Sequence, residues 1–139
     1  MRRETGQLRT PFILKNVVPN MNSNEAEALS QCGLDQLALG SAAEAVQSFR
    51  AAMTVDPNHI EAHHGLIRAL RDAGRLEQSI GAALSLTALT PNDPLAHTAL
   101  SISLQQAGHI PEAEAAAARA RILEWKAQLR SSPDKDERL

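Results

Sequence analysis

Five histidines and a single cysteine are the side chains of this 139-residue sequence most able to hold a metal or act as nucleophiles. His59 and His63 are four residues apart and His64 adjoins them, a spacing that sets two imidazoles on one helix face. A zinc site needs three or four convergent ligands, and nothing nearby supplies the rest. His63 and His97 are 34 residues apart; at equal places on neighbouring parallel helices they would lie about 10 Å from each other. They read as packing residues with one polar edge. Cys32 falls among apolar positions and reads as an inert core thiol. Alone, it rules out an internal disulfide and an all-cysteine zinc site. The sequence has no glycine-rich phosphate loop, no plausible Ser/His/Asp series and no paired-carboxylate pocket. It therefore reads as a non-enzyme, with no catalytic residue, metal or cofactor expected.

The elements that must carry any binding residues are helices. Ala occurs 24 times and Leu 18 times, Tyr is absent, and the only aromatics are Phe12, Phe49 and Trp125. That composition favours helix and disfavours a β-sandwich or barrel. The net charge of −2 argues against general nucleic-acid binding, which needs excess positive charge. No apolar run approaches a membrane span of about 20 residues, and no secretory signal is evident. Membrane insertion is not expected, and a cytosolic protein is. Eleven Arg against three Lys, with so much Ala, suit a GC-rich bacterial genome.

Residues 1–22 form a basic tail, expected to be extended or disordered. Their alternatives are docking of Phe12, Ile13, Leu14 and Val17 as a strand on this domain or a partner, or a physiological start at Met21. Residues 132–139 read as a polar C-terminal tail, leaving 23–131 as the folded domain.

Gly40, Gly74 and Gly108 recur at a step of 34 residues, each placed to end a helix in a left-handed conformation. Leu66 and Leu100, Leu70 and Leu104, and Pro57 and Pro91 keep the same step. Three units follow, at about 26–59, 60–93 and 94–127. Helices are expected at about 24–38, 42–55, 59–73, 76–89, 94–107 and 111–130, with short links that make neighbours antiparallel. Asn24…Glu27, Ser41…Glu44 and Asn58…Glu61 have capping-box spacing. Asp93-Pro94 supplies an N-cap followed by proline at the first helical position.

Leu29, Cys32, Gly33, Gly40, Ala45, Phe49, Ala52 and Pro57, with Gly74, Leu76, Ile80, Pro91, Gly108, Ile110, Ala113 and Ala120, resemble the tetratricopeptide repeat. The resemblance spans about residues 24–127. It implies an all-α, right-handed superhelical stack of three helix-turn-helix repeats. Ala83 and Ala117 stand where the family prefers an aromatic, and Leu70 and Leu104 replace its usual tyrosine, so the core should be thin and Ala-rich. Trp125 takes the third proline place, which lets the last helix run on to about Arg130. Its stripe Ile122, Trp125 and Leu129 is expected to cap the open end of the stack. The alternative is that Trp125 protrudes as an anchor for another chain.

In the family the first helix of each repeat lines a concave binding face. The matching residues here include Leu34, His64, Arg68, Arg71, Ile102 and Gln105, and His64, Arg68, Arg71 and Arg75 make one continuous helical stripe. Arginine forks bind carboxylates, so the groove is expected to take a peptide or helix with acidic groups and an apolar anchor. The alternative is a solvated face satisfied by Glu61 and Asp72. Some family members clamp the acidic tails of heat-shock chaperones, but the clamp positions here hold Ser30, Leu34, Gly65, Leu95 and Ala99, and none matches. Residues 78–92 carry no charge, which suggests Gly81, Ala82 and Leu84 as a self-association patch. The sequence thus reads as a protein-interaction adaptor or assembly factor. Its alternatives are a chaperone for a secreted or assembling protein, like the three-repeat secretion chaperones of bacteria, and a small structural subunit tethered through residues 1–20.

Overall fold

A computed structural model describes residues 21–131, which form six helices. They are α1 (Met21–Ala38), α2 (Ala42–Val55), α3 (Ile60–Asp72), α4 (Leu76–Leu89), α5 (Pro94–Gln106) and α6 (Ile110–Arg130). Each packs on the next, and α3 also touches α1 and α5. The described residues thus form a superhelical stack of three hairpins, with α1, α3 and α5 in one layer and α2, α4 and α6 in the other. No helix of the described residues is long and apolar enough to cross a membrane.

The three glycines at the 34-residue step end the first helix of each hairpin in the same way. Their φ angles are 81°, 79° and 89° at Gly40, Gly74 and Gly108, a region that costs an L side chain energy but not glycine. At each, two backbone bonds close the helix end: Ser41 N–H to Gln36 O at 2.8 Å with Gly40 N–H to Leu37 O at 3.0 Å, and likewise at Arg75 and His109. This paired closure satisfies carbonyls that the helix would leave free.

The N-termini differ from the capping-box expectation. The first helix begins at Met21, upstream of Asn24, and α3 is capped by His59 rather than Asn58. Ser41 caps α2 without a side-chain hydrogen bond. Asn58 instead donates its backbone N–H to Asp56 Oδ1 at 3.1 Å, a local turn that competes with capping. Asp93 does cap α5, accepting from Leu95 N–H at 3.0 Å with Pro94 behind it. His63 and His97 do the remaining work. Their Nε2 atoms donate to the carbonyls of Pro57 and Pro91 at 2.7 and 2.8 Å. Each ring ties the start of its helix to the preceding turn, so both are packing residues with one polar edge.

Small residues set the packing. Ala45, Ala52, Ala62, Ala69, Ala83 and Ala96 are fully buried. Phe49 on α2 is also fully buried, with its ring against Gly33 of α1 and Gly65 of α3. One step of 34 residues later the same three places hold Ala83, Ile67 and Ala99, all buried. The volume that one aromatic supplies at the first junction comes from Ile67 on the neighbouring helix at the second, so the core closes without a second aromatic.

Two expectations fail here. Cys32 is exposed, and its nearest polar partner is the Ser48 hydroxyl at 3.7 Å. It lies on the side of α1 whose equivalents, Leu66 and Leu100, are covered by the preceding hairpin; α1 has no described helix there. The stripe Ile122, Trp125 and Leu129 does not close the stack, being 45%, 60% and 47% exposed. The face of α6 that packs inward is Ala113, Ala116, Ala120 and Leu123. At 100° per residue the two sets lie about 180° apart on the helix.

The hairpins are also joined on the side of the second layer. Arg50 Nη2 donates to Gln78 Oε1 at 3.3 Å between α2 and α4, and His109 Nε2 meets Glu77 Oε2 at 3.0 Å between α6 and α4. The bond to Glu77 holds the exposed His109 imidazole above its usual value. Any stability from this pair is therefore complete below the unfolded value near 6.5 and is lost as pH rises through the raised folded value. In Glu77→Gln, an NMR titration of the His109 ring should show its midpoint falling back toward 6.5.

Candidate functional site

The layer of α1, α3 and α5 holds a hollow built by equal spacing on two neighbouring helices. His64, Ile67, Arg68 and Arg71 of α3 face Leu95, Thr98, Ala99 and Ile102 of α5 across a volume of about 290 Å³. Each set follows the i, i+3, i+4, i+7 rule that places four side chains on one helix face. Ile67 forms an apolar floor and is almost wholly buried, whereas Leu95 and Ile102 are exposed at the edge.

The charges in this hollow are unevenly satisfied. Arg68 Nε lies 3.8 Å from Asp72 Oδ2, a loose pair between exposed groups, of the kind worth little. Arg71 is half-buried and makes no ion pair or side-chain hydrogen bond within the described residues. Burial pulls its guanidinium below the usual arginine value, Asp72 opposes this, and Arg68 adds to it. His64 is half-buried too, and its Nε2 is shielded from solvent with no partner. Burial lowers its affinity for a proton, Asp93 raises it, and His63 lowers it again. Folding thus favours the neutral ring. Its contribution to stability is present above the unfolded value near 6.5 and fades as pH falls below that. An anion seated here would give Arg71 a partner and draw a proton onto His64.

Four of the expected groove residues, His64, Arg68, Arg71 and Ile102, meet at this hollow. Gln105 does not. It lines a separate depression of about 160 Å³ with Ser101, Ile110 and Glu114, between α5 and α6. Leu34 is exposed on α1, outside both. Phe12 lies outside the described residues. Gly81 and Leu84 are exposed, but Ala82 is half-buried and packs against the buried residues of both hairpin junctions, so the three do not form one outward patch. Sequence reasoning missed Ile67 and Ala99, although the helical period that links His64, Arg68 and Arg71 also passes through Ile67. Among the described residues no group of three His, Cys, Asp or Glu could hold a metal ion.

Comparison with known proteins agrees with this architecture. Residues 36–102 match the family model of the tetratricopeptide repeat. No curated protein sequence matches the chain. Among solved structures, MamA is similar with 18% identity and a TM-score of 0.69 over 75% of this chain; the chain spans 61% of MamA. The type III secretion translocator chaperone SycD of Yersinia enterocolitica is similar with 20% identity and a TM-score of 0.70, over 88% of this chain and 96% of SycD. SycD is also seen in complex with a peptide of the translocator YopD. The second TPR of Spaghetti (RPAP3), bound to the HSP90 peptide SRMEEVD, is similar with 13% identity and a TM-score of 0.68, over 76% of this chain and 97% of that one. Residues 36–102 thus match the tetratricopeptide-repeat family model, and the three hairpins of the described residues repeat at its 34-residue step.

Proposed function

We propose that this chain is a non-enzymatic protein-interaction module that takes an acidic peptide or short helix along its concave layer. A carboxylate of the ligand sits at Arg68 and Arg71, and an apolar side chain enters the hollow between Ile67 and Ile102. The observation that carries this reading is Arg71. A half-buried guanidinium with no carboxylate at ion-pair distance among the described residues bears a desolvation cost that a bound anion offsets. Its fork geometry suits a carboxylate bidentately. A cytoplasmic location is part of the reading and is supported by the exposed, unpaired Cys32, which suits a reducing compartment.

A second reading is chaperoning of a secreted or assembling protein, supported by the likeness to SycD over nearly that chaperone's whole length. The two share the groove and differ in whether the ligand is folded when it binds. Tethering through residues 1–20 concerns residues outside those described.

The test is a fluorescence-polarisation screen of the full chain against labelled peptides that pair Asp or Glu with Leu or Phe at varied spacing. The expected hits lose at least about tenfold in affinity, or about 1.4 kcal/mol, when Arg68 and Arg71 are both changed to Glu, and lose less with Ile102→Ala. Their affinity rises as pH falls from about 8 to 6, because His64 gains a proton beside the anion. Hits whose affinity is indifferent to both Arg changes would overturn the reading.

A further inference from the structure

The second layer carries a feature that the concave groove does not explain. Arg50 and Gln78 bridge the first two hairpins. One 34-residue step later these places hold Leu84 and Glu112, which cannot make that bond. The result is an open groove of about 450 Å³ with Ile80, Leu100 and Leu104 in its floor and Leu84 and Ala115 at its mouth. Beside it runs α6, of 21 residues where α2 and α4 have 14. Pro57 and Pro91 follow the ends of α2 and α4; Trp125 stands at their phase, so α6 continues by two more turns. That extension carries the exposed stripe Ile122, Trp125 and Leu129.

The charges of α6 are divided along its length. Its first turns hold Glu112 and Glu114, while from residue 119 onward it holds Arg119, Arg121, Lys126 and Arg130 against Glu124 alone. A parallel pair of such helices would place like charges together, whereas an antiparallel pair is complementary.

We propose that the chain forms a closed two-fold dimer through antiparallel α6 helices. With the axis near the middle of α6, Trp125 of one copy meets Ala115 and Leu84 at the groove mouth of the other. Ile122 meets Ala118, a small residue that lets the helices approach. A two-fold axis brings equal flanks together at opposite heights, so Glu112 falls between Lys126 and Arg130 of the second copy. Every contact occurs twice, and the concave layer stays free.

The experiment uses the full chain at concentrations from about 1 to 200 μM, where dimers with micromolar dissociation constants are resolved. Sedimentation equilibrium reads the mass. Fluorescence reads Trp125, the only tryptophan, whose emission should move to shorter wavelength as the dimer forms. The expected mass doubles across this range. Trp125→Ala should leave a monomer with unchanged far-UV circular dichroism. Glu112→Lys should raise the midpoint concentration at least about tenfold, and adding Lys126→Glu and Arg130→Glu to it should restore the dimer. A wild-type chain monomeric throughout overturns the proposal. So does a dimer whose midpoint neither Glu112→Lys nor Trp125→Ala moves, and so does a mass that keeps growing beyond two copies.

Discussion

Phe49→Ala is expected to lower stability by about 3–5 kcal/mol, the range for deleting a buried aromatic ring. The ring is fully buried and faces two glycines, Gly33 on α1 and Gly65 on α3. Neither glycine can move a side chain into the gap, and three helices meet around it. The cavity therefore stays open, which places this substitution toward the costly end of its class. Chemical denaturation followed by circular dichroism measures it. A loss below about 1.5 kcal/mol, more typical of volume-conserving swaps, would show that the three helices collapse onto the vacancy.

Gly65→Ala should be the second most damaging change, and for the opposite reason. A Cβ built on Gly65 would overlap the Phe49 ring, and one on Gly33 would lie 2.7 Å from the ring's Cζ. Neither the ring nor the helix backbone is a flexible end that can give way. Overpacking of this kind costs about 1–3 kcal/mol and occasionally more. The better helix propensity of alanine returns about 1 kcal/mol, so the net loss at Gly65 falls between about 0 and 2 kcal/mol, at the upper end because the Cβ overlaps the ring itself. At Gly81, where a Cβ meets nothing within 4 Å, the same substitution keeps only the propensity gain and should be neutral or stabilising. The double variant Phe49→Ala, Gly65→Ala should lose less than the sum of its parts, because the new methyl enters the space the ring leaves. The coupling should be about 1–3 kcal/mol, as for residues sharing one cavity. Additive losses would mean that ring and glycine do not share that space.

These two residues also show how far the sequence could be read. That Gly33 and Phe49 are special places was legible, because both fall at characteristic positions of the 34-residue pattern; that they touch was not. The approach of Gly65 was not legible either, because it belongs to the next hairpin and its equivalents, Gln31 and Ala99, are not glycines. A signal did exist in the exchange of Phe49, Gly33 and Gly65 for Ala83, Ile67 and Ala99. It becomes readable only once it is known which three places touch.

The candidate groove divides in the same way. The stripe His64, Arg68 and Arg71 follows from helical period alone. That Ile102 joins it while Gln105 turns to a different depression depends on how α5 lies against α3 and α6, and this is set by the side chains packed between them.

Among the described residues, the sequence by itself determined the number of helices, their limits to within a few residues, the three glycine-ended turns, the long helix α6 and the 34-residue repeat. All of these rest on local periodicity, on the left-handed freedom of glycine and on the ring constraint of proline, which act within a few residues of chain. Only the tertiary structure decided which faces are covered. Cys32 occupies a core phase yet is exposed, because no described helix stacks on its side of α1. Trp125 lies opposite the inward face of α6 and points to solvent. Burial belongs to pairs of elements, and a repeat read one unit at a time does not contain its neighbour.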